Sequence, residues 1–114
     1  MKGIIFYGSN FINGNEKLEE IIKRYTQMKI GIIKNVYNNY GSCVEFENGD
    51  VWKVAKANDM GRGHRCNVAY VERCIDYNTY NCIVRPCVTL LPFSAINFWG
   101  NGDLHISSEP VTPF

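Results

Sequence analysis

Short apolar runs, each closed by glycine or polar residues, dominate the first part of the chain. Residues 2–7 read KGIIFY, a pattern typical of a strand buried on both faces, and a Gly-Ser-Asn turn follows. Apolar side chains then recur at helical spacing, at Leu18, Ile21, Ile22 and Tyr25. The pattern predicts a strand followed by an amphipathic helix, and Asn13 or Asn15 is the expected helix cap.

The next segment alternates between apolar and polar positions. Residues 29–37 read KIGIIKNVY and predict a second strand. Two alternating runs flank Asn48-Gly49, a dipeptide that readily adopts the positive φ angles of a tight hairpin turn. A two-residue turn would place Phe46 opposite Val51 on one face of the hairpin, so we predict that register.

The last third of the chain contains one more buried run and a proline-interrupted segment. Residues 67–72 read NVAYVE and predict a strand, whereas residues 75–84 predict a brief helix that Arg85-Pro86 would end. The apolar segment 88–99 contains Pro92, which favours an edge strand or a packing segment over a central strand.

The order strand, helix, strand, hairpin, strand, helix predicts an α/β fold with flanking helices. The sheet must be mixed, because the hairpin is antiparallel. At 114 residues the chain fits one domain, residues 1–114, with a flexible, proline-containing tail at about 107–114. The net charge of +1 argues against a uniformly basic nucleic-acid binder, so an anion site would have to be a local patch.

The sequence contains no apparent membrane or secretory segment. Apolar runs of about 18 residues, the length needed to cross a membrane, do not occur, and the apolar run at the N-terminus is too short for a secretory signal. Five cysteines, an odd number, are typical of reduced thiols. We therefore expect a cytoplasmic protein.

The cysteines leave two interpretations open. Reduced thiols in or near the core are the simpler one, since free cysteine behaves as a small hydrophobe. A zinc site is the alternative, with candidate ligands His64, Cys66, Cys74, Cys82 and Cys87. No Cys-x-x-Cys pair is present to hold two thiolates on one turn, so we predict no metal.

A glycine- and arginine-rich loop precedes the strand at 67–72, which ends in Glu72-Arg73. Arginine forks suit phosphate, and the tyrosines Tyr70, Tyr77 and Tyr80 would suit stacking on a base. We therefore predict a ligand site formed by Arg62, Gly63, His64, Arg65, Glu72 and Arg73. The alternative is a solvated loop beside a strand-end acid.

The run from Asn48 to Ile75 resembles the second half of the ATPase core in phage terminase large subunits and related helicase-like P-loop proteins. The matching pieces are Asn48-Gly49, Arg62-Gly63, and an apolar strand that ends in Glu72-Arg73. The resemblance implies a reduced P-loop-NTPase-like fold, a phage or prophage origin, and a magnesium-holding role for Glu72. In that family a second acid polarises the attacking water, but Arg73 stands in its place and cannot act as a base.

The expected phosphate loop is also altered. A working loop reads G-x-x-x-x-G-K-[ST] between a strand and a helix. The corresponding stretch, Gly8 to Glu16, reads GSNFINGNE, with Asn15 in the place of the lysine and Glu16 in the place of the hydroxyl. Triphosphate hydrolysis is therefore not expected, and no catalytic residue or cofactor is predicted.

These observations predict a non-catalytic phage binding protein. Its partner would be a nucleotide-type ligand, a nucleic acid or a host protein, and no membrane; an anti-defence role as an inhibitor is plausible on the resemblance alone. Self-association is expected because aromatic residues crowd the C-terminal stretch, at Phe93, Phe98, Trp99 and Phe114.

Two alternatives remain from other functional classes. One is a metal-dependent nucleotide hydrolase or nuclease accessory that uses Glu72 with Asp59, Asp76 or Asp103. The other is a protein-interaction module without a small ligand.

Overall fold

The computed structural model of the protein describes residues 1–37, 42–58, 64–90 and 94–100. The strands within them are β1 (Lys2–Tyr7), β2 (Ile32–Val36), β3 (Cys43–Phe46), β4 (Val51–Lys56), β5 (Val68–Glu72) and β6 (Ala95–Trp99). Helix α1 spans Phe11–Gln27. A shorter helical segment starts as α2 (Tyr77–Thr79) and continues directly as a π-helical turn (Tyr80–Val84) and a 3₁₀ turn (Arg85–Cys87).

The six strands form one sheet in the order β2-β3-β4-β1-β5-β6. Strand β1 pairs in parallel with β4 and β5, and β5 pairs in parallel with β6. Strand β3 runs antiparallel to both β2 and β4. The predicted mixed α/β sheet is therefore confirmed, and the carboxyl ends of β4, β1, β5 and β6 share one edge.

Strand β1 lies at the centre of the sheet and is buried on both faces, as predicted. Ile5 and Tyr7 join a cluster that packs under α1, and we call this side the α1 face. Ile4 and Phe6 join a cluster with the helical segment that starts at α2, and we call this side the α2 face. The alternation of side chains along β1 thus holds together three layers, helix, sheet and helix.

Helix α1 starts earlier than the sequence pattern indicated. Its cap is Asn10, whose side chain accepts a hydrogen bond from the Asn13 backbone N–H at 3.1 Å, so the prediction of Asn13 or Asn15 as the cap is wrong. Asn10 has extended backbone angles, which suit a cap directly after the short turn from β1. The predicted apolar face is confirmed, since Leu18, Ile21 and Tyr25 are buried.

The hairpin between β3 and β4 has a three-residue loop, so the predicted two-residue turn is wrong. The Phe46 backbone N–H donates to the Asp50 carbonyl at 2.9 Å, and Val51 pairs with Glu45 rather than with Phe46. Gly49 has a φ of 92°, the left-handed position that closes such a loop. With the extra loop residue, Asp50 instead of Val51 lies opposite Phe46, and Phe46 is buried on the α1 face.

Two further boundaries differ from the sequence expectation. The second strand is present but shorter than 29–37, and all five residues of β2 are exposed at the sheet edge. The second helical segment does not end at Arg85-Pro86, because Pro86 lies within the 3₁₀ turn. Proline is tolerated in a first helical turn, where its missing N–H would have no partner.

The segment 88–99 supplies an edge strand, one of its two predicted forms. Strand β6 pairs with β5 from Ala95 to Trp99. Pro92 and the predicted tail at 107–114 lie outside the described residues. None of the helices in the described part of the chain combines the length and the apolar character that crossing a membrane requires.

The fold yields a stability prediction at Gly3. A Cβ atom there would overlap the indole ring of Trp52, which is buried and donates a hydrogen bond from Nε1 to the Tyr25 hydroxyl at 3.1 Å. We expect Gly3→Ala to lower the free energy of unfolding by about 1–3 kcal/mol, measured by denaturant titration. Gly31→Ala is the control, since its Cβ would meet only the flexible end of Glu47. Equal stability of the two variants would contradict the packing described here.

Candidate functional site

The carboxyl edge of the sheet contains a crevice between β1 and β5. These neighbouring parallel strands lead to opposite sides, β1 to α1 on one face and β5 to the helical segment on the other. Such a divergence opens a crevice at the carboxyl ends of the strands, where ligands commonly bind in α/β proteins. Glu72, the last residue of β5, lies in this crevice.

The carboxylate of Glu72 is held by the turn between β1 and α1. Its Oε1 accepts hydrogen bonds from the backbone N–H groups of Gly8 at 2.9 Å and Ser9 at 3.0 Å. The Ser9 hydroxyl lies 2.8 Å from Oε1 and 2.9 Å from Oε2, and Asn13 Nδ2 donates to Oε2 at 3.1 Å. We call these donors of Gly8, Ser9 and Asn13 the carboxylate cradle. Both oxygens of Glu72 are thereby occupied.

The cradle keeps Glu72 ionised. Burial by itself raises the pKa of the carboxyl group, but the hydrogen bonds from Ser9, Gly8 and the thiol of Cys74 outweigh it, and the pKa of Glu72 lies below its usual value. Burial and the hydrogen bond to Glu72 raise the pKa of Cys74, so its sulfur remains a protonated donor. The crevice therefore contains a fixed negative charge supplied by the chain.

The arrangement does not resemble a magnesium site. Among the described residues, no group of three or more histidine, cysteine, aspartate or glutamate side chains could hold a metal ion. Asp76, one of the proposed partners of Glu72, instead caps α2 by accepting from the Thr79 backbone N–H at 2.7 Å. The other two, Asp59 and Asp103, lie outside the described residues.

The stretch that was aligned with a phosphate loop does join a strand to a helix. Only Gly8, Ser9 and Asn10 lie between β1 and α1, so the connection is short. Gly14, the second glycine of that stretch, is buried inside α1, close to the side chains of Val54 and Tyr7. It permits close packing of the helix on the sheet and takes no part in a phosphate-binding loop.

A second candidate site lies at the opposite edge, on the α2 face. A groove of ≈ 670 Å³ opens beside the amino ends of β1 and β4. Its described lining includes the charged or titratable residues Lys2, Cys43, Glu45, Lys53, His64 and Arg65. We call it the basic groove. Apolar side chains, among them Ile4, Val51 and Leu90, complete its walls.

The basic groove carries an excess of positive charge. Lys2, Lys53 and Arg65 are exposed, and within the described ranges none of the three forms an ion pair. Glu45 is the single carboxylate among the described residues of the lining. The groove therefore offers three cations and an imidazole to a ligand.

The predicted site residues that the structure describes lie in two separate pairs. His64 and Arg65 precede β5 and line the basic groove, whereas Glu72 and Arg73 follow it. The strand between them spans about 13 Å, so the two pairs lie at opposite edges of the sheet. The structure therefore does not bring these two pairs together, and the binding role of the residues stays a prediction. Arg62 and Gly63 lie outside the described residues.

Arg73 contributes to the fold at the carboxyl edge. Its backbone N–H donates to the Trp99 carbonyl at 2.9 Å, which links the end of β5 to the end of β6. Its Nε is buried and has no hydrogen-bond partner among the described residues. The predicted role of Arg73 as a ligand contact stays a prediction.

The tyrosines proposed to stack on a base are dispersed. Tyr70 lies on the α1 face, where Lys17 Nζ sits 4.7 Å from its ring centre. Tyr80 is buried in the cluster of the α2 face and cannot stack on a ligand. Tyr77 is exposed but follows β5, at the other edge of the sheet from the basic groove.

Some functional candidates were missed by the sequence analysis. Lys2 and Lys53 approach each other because Ile4 pairs with Lys53, and Lys2 with Val51, in the parallel β1–β4 ladder. Their positions in the sequence carry no sign of this pairing. The donor role of Ser9 and Asn13 was also missed, although the Gly-Ser-Asn turn before a helix is a recognisable anion-binding pattern.

None of the five cysteines, all within the described ranges, forms a disulfide bond, as expected of reduced thiols. Cys66 and Cys87 lie in the core cluster of the α2 face, and burial raises the pKa of Cys66 to about 12. Cys74 and Cys82 are exposed, so the core interpretation holds for only part of the set.

Comparison with protein-family models, curated proteins and solved structures found no match to this chain. The resemblance to phage terminase ATPase cores therefore stays a prediction. The geometry of the cradle and the basic groove is therefore the observation from which a function can be inferred.

The lowered pKa of Glu72 predicts a pH-dependent stability. Because the pKa is lower in the folded than in the unfolded state, the carboxylate stabilises the fold fully above about pH 4.3, and this contribution disappears as the pH falls through the folded-state pKa. We expect Glu72→Gln to cost about 2 kcal/mol at pH 7 and progressively less in acid, measured by denaturant unfolding.

Glu16→Gln is the matched control, since Glu16 is an exposed residue of α1. Its effect should be small at every pH. A cost of Glu72→Gln that is equally large at neutral and acid pH would show that charge in the cradle does not stabilise the fold.

Proposed function

We propose that the protein is a non-catalytic binding protein that takes a phosphate-bearing ligand, a nucleotide or a nucleic acid strand, in the basic groove. The observation that supports this most is the described lining of that groove, in which Lys2, Lys53, Arg65 and His64 accompany one carboxylate, Glu45. Its volume of ≈ 670 Å³ falls within the range of small-molecule sites.

The chemistry of the lining suits phosphate. The guanidinium of Arg65 offers a planar fork for two phosphate oxygens, and the two lysines offer mobile point charges. Apolar side chains such as Val51 and Leu90 provide a surface for the base or sugar. Because the net charge is only +1, this local excess of cations is where an anion would concentrate.

The geometry favours binding over hydrolysis. Hydrolysis of a phosphate ester needs a metal or a general base beside the phosphate. Of the residues that the structure describes in the groove lining, Glu45 alone carries a carboxylate, and Glu72 lies at the other edge with both oxygens occupied by the cradle. The alternative of a metal-dependent hydrolase or nuclease accessory therefore has no supporting observation among the described residues.

The biological setting of this binding is inferred from the resemblance to phage terminase ATPase cores alone. If the chain derives from a phage or prophage, a small non-catalytic binding protein would act by sequestering a nucleotide, a nucleic acid or a host protein. In that setting, the proposed role is anti-defence: the protein would act as an inhibitor in the host cytoplasm.

Binding in the basic groove predicts specific losses on mutation. We expect Lys53→Ala and Arg65→Ala each to weaken binding of a 5′-mononucleotide or a short single-stranded oligonucleotide about tenfold, because each removes a charge-assisted contact to phosphate. Isothermal titration calorimetry measures the affinity, and added salt should reduce it further. Lys23→Ala, an exposed lysine of α1, is the control and should bind like the parent.

Two results would contradict the proposal. One is an affinity that responds neither to salt nor to the groove substitutions. The other is steady release of phosphate from ATP and magnesium that Glu72→Gln abolishes, which would favour the hydrolase alternative.

A second function, self-association, is favoured by strand β2. Of the aromatic residues that suggested it, Phe98 and Trp99 pack against the core clusters, and Phe93 and Phe114 lie outside the described residues, so the described aromatic residues do not carry the argument. Instead, β2 forms one edge of the sheet and exposes large apolar side chains: Ile32, Ile33 and Val36, with Tyr37 directly after them. An exposed apolar edge strand is a template for pairing with another chain.

Pairing through β2 predicts a change in oligomeric state. We expect Ile33→Lys to shift the protein from dimer to monomer, because Ile33 is 66% exposed and a charge there opposes edge pairing. Light scattering after size exclusion measures the mass. Ile12→Lys is the control, since Ile12 is 54% exposed on α1 and away from the edge. If the parent protein is monomeric at every concentration tested, the proposal of self-association through β2 is contradicted.

A further inference from the structure

The described residues cover the α2 face of the sheet only in part. The core cluster that the helical segment forms on this face contains residues of β1 and β5 but none of β2 or β3. Every residue of β2 is exposed, and Cys43 and Glu45 of β3, which line the basic groove, are half-buried. Within the described part of the chain, the surface of β2, β3 and the start of β4 on this face is therefore open, and it is continuous with the basic groove.

Strand pairing aligns the side chains of this surface in two rows that cross β1, β4, β3 and β2. Residues that pair directly across neighbouring strands share a face of the sheet. The first row comprises Lys2, Val51, Glu45 and Lys34. The second row comprises Ile4, Lys53, Cys43 and Val36. Because neighbouring strands lie about 4.8 Å apart, each row is about 14 Å long. We call these two rows the open sheet face.

Lys34 extends the positive charge of the basic groove to the edge of the sheet. It is exposed, and like Lys2 and Lys53 it forms no ion pair within the described ranges. Its cross-strand neighbour is Glu45, so Lys34 offsets the one negative charge in the described lining that would repel a phosphate. The first row therefore has a cation at each end.

We infer that the phosphate-bearing ligand is a single-stranded nucleic acid that lies across the open sheet face, with phosphates near Lys2, Lys53 and Lys34. This inference rests on the proposed function, because it keeps the ligand in the basic groove and extends it to β2. The phosphate of a mononucleotide reaches the cations at one end of a row about 14 Å long, whereas successive phosphates of a strand reach both ends.

The side chains between the cations favour a single strand over a duplex. Ile4, Val51 and Cys43 alternate with the lysines and offer an apolar surface. The unpaired bases of a single strand can turn towards such a surface, whereas a duplex keeps its bases stacked inside. Contacts of this kind depend little on the identity of the base, so most of the affinity comes from the phosphates and falls with salt.

The experiment compares two lengths of the same ligand. 5′-Thymidylate and an oligothymidylate of about eight nucleotides are titrated by calorimetry at several salt concentrations. We expect the oligonucleotide to bind at least about tenfold more tightly. Each phosphate contact of a single strand adds about 0.7 to the slope of log affinity against log salt. Lys34→Ala should therefore weaken oligonucleotide binding severalfold, reduce that slope by about 0.7, and leave thymidylate binding unchanged.

Lys56→Ala is the matched control. Lys56 is an exposed lysine at the end of β4, and the alternation of side chains places it on the opposite face of the sheet from Lys53. This variant should bind both ligands like the parent.

The outcomes separate this inference from the proposed function. Equal affinity for the two ligands, or oligonucleotide binding that Lys34→Ala does not change, overturns the inference alone when Arg65→Ala still weakens binding. No binding of either ligand overturns the inference and the proposed function together. Tighter binding of an oligoglutamate peptide of the same charge also overturns the inference, in favour of an acidic polypeptide as the partner.

Discussion

The hydrogen bonds between the Glu72 carboxylate and the β1–α1 turn are the constraint on which the site architecture depends. Only 5% of Glu72 is exposed, and an ionised carboxylate buried without partners would cost several kcal/mol. The donors of Gly8, Ser9 and Asn13 offset that cost. They also join the end of β5 to the start of α1, which fixes the helix over the crevice. The backbone and side-chain donors at this edge of the sheet, where α/β proteins commonly bind ligands, are therefore already engaged by the chain itself.

Because the Glu72 carboxylate engages the donors of the carboxyl edge, the two ends of the sheet differ in electrostatic character. At the carboxyl edge, positive groups of the backbone and helix terminus are already neutralised by an internal anion. At the amino edge, the cations of the basic groove lack ion-pair partners within the described ranges. An external anion meets less competition there, and this difference supports the proposed binding function. Among the described residues, the buried carboxylate of Glu72 lies at the opposite edge from the cations of the basic groove.

Local patterns predicted the elements well where the spacing of apolar residues fits one type of element. The buried run at 2–7 and the apolar stripe of α1 follow from side-chain periodicity and were confirmed. The predictions failed where the local sequence is compatible with two different structures. Asn48-Gly49 suits a two-residue or a three-residue hairpin loop, and the burial of Phe46 accompanies the longer one. Pro86 ends a regular α-helix, but a 3₁₀ turn accepts it.

By itself, the sequence determined the mixed α/β class and the approximate positions of most strands and of α1, because periodicity is a property of neighbouring residues. Only the tertiary structure decided which polar residues meet. His64 and Glu72 are close in sequence yet lie at opposite ends of β5, whereas Ser9 and Glu72 share a hydrogen bond across 63 residues. The reason is physical: an extended strand turns short sequence separations into long distances. Contacts between strands depend on sheet order and register, which no local pattern specifies.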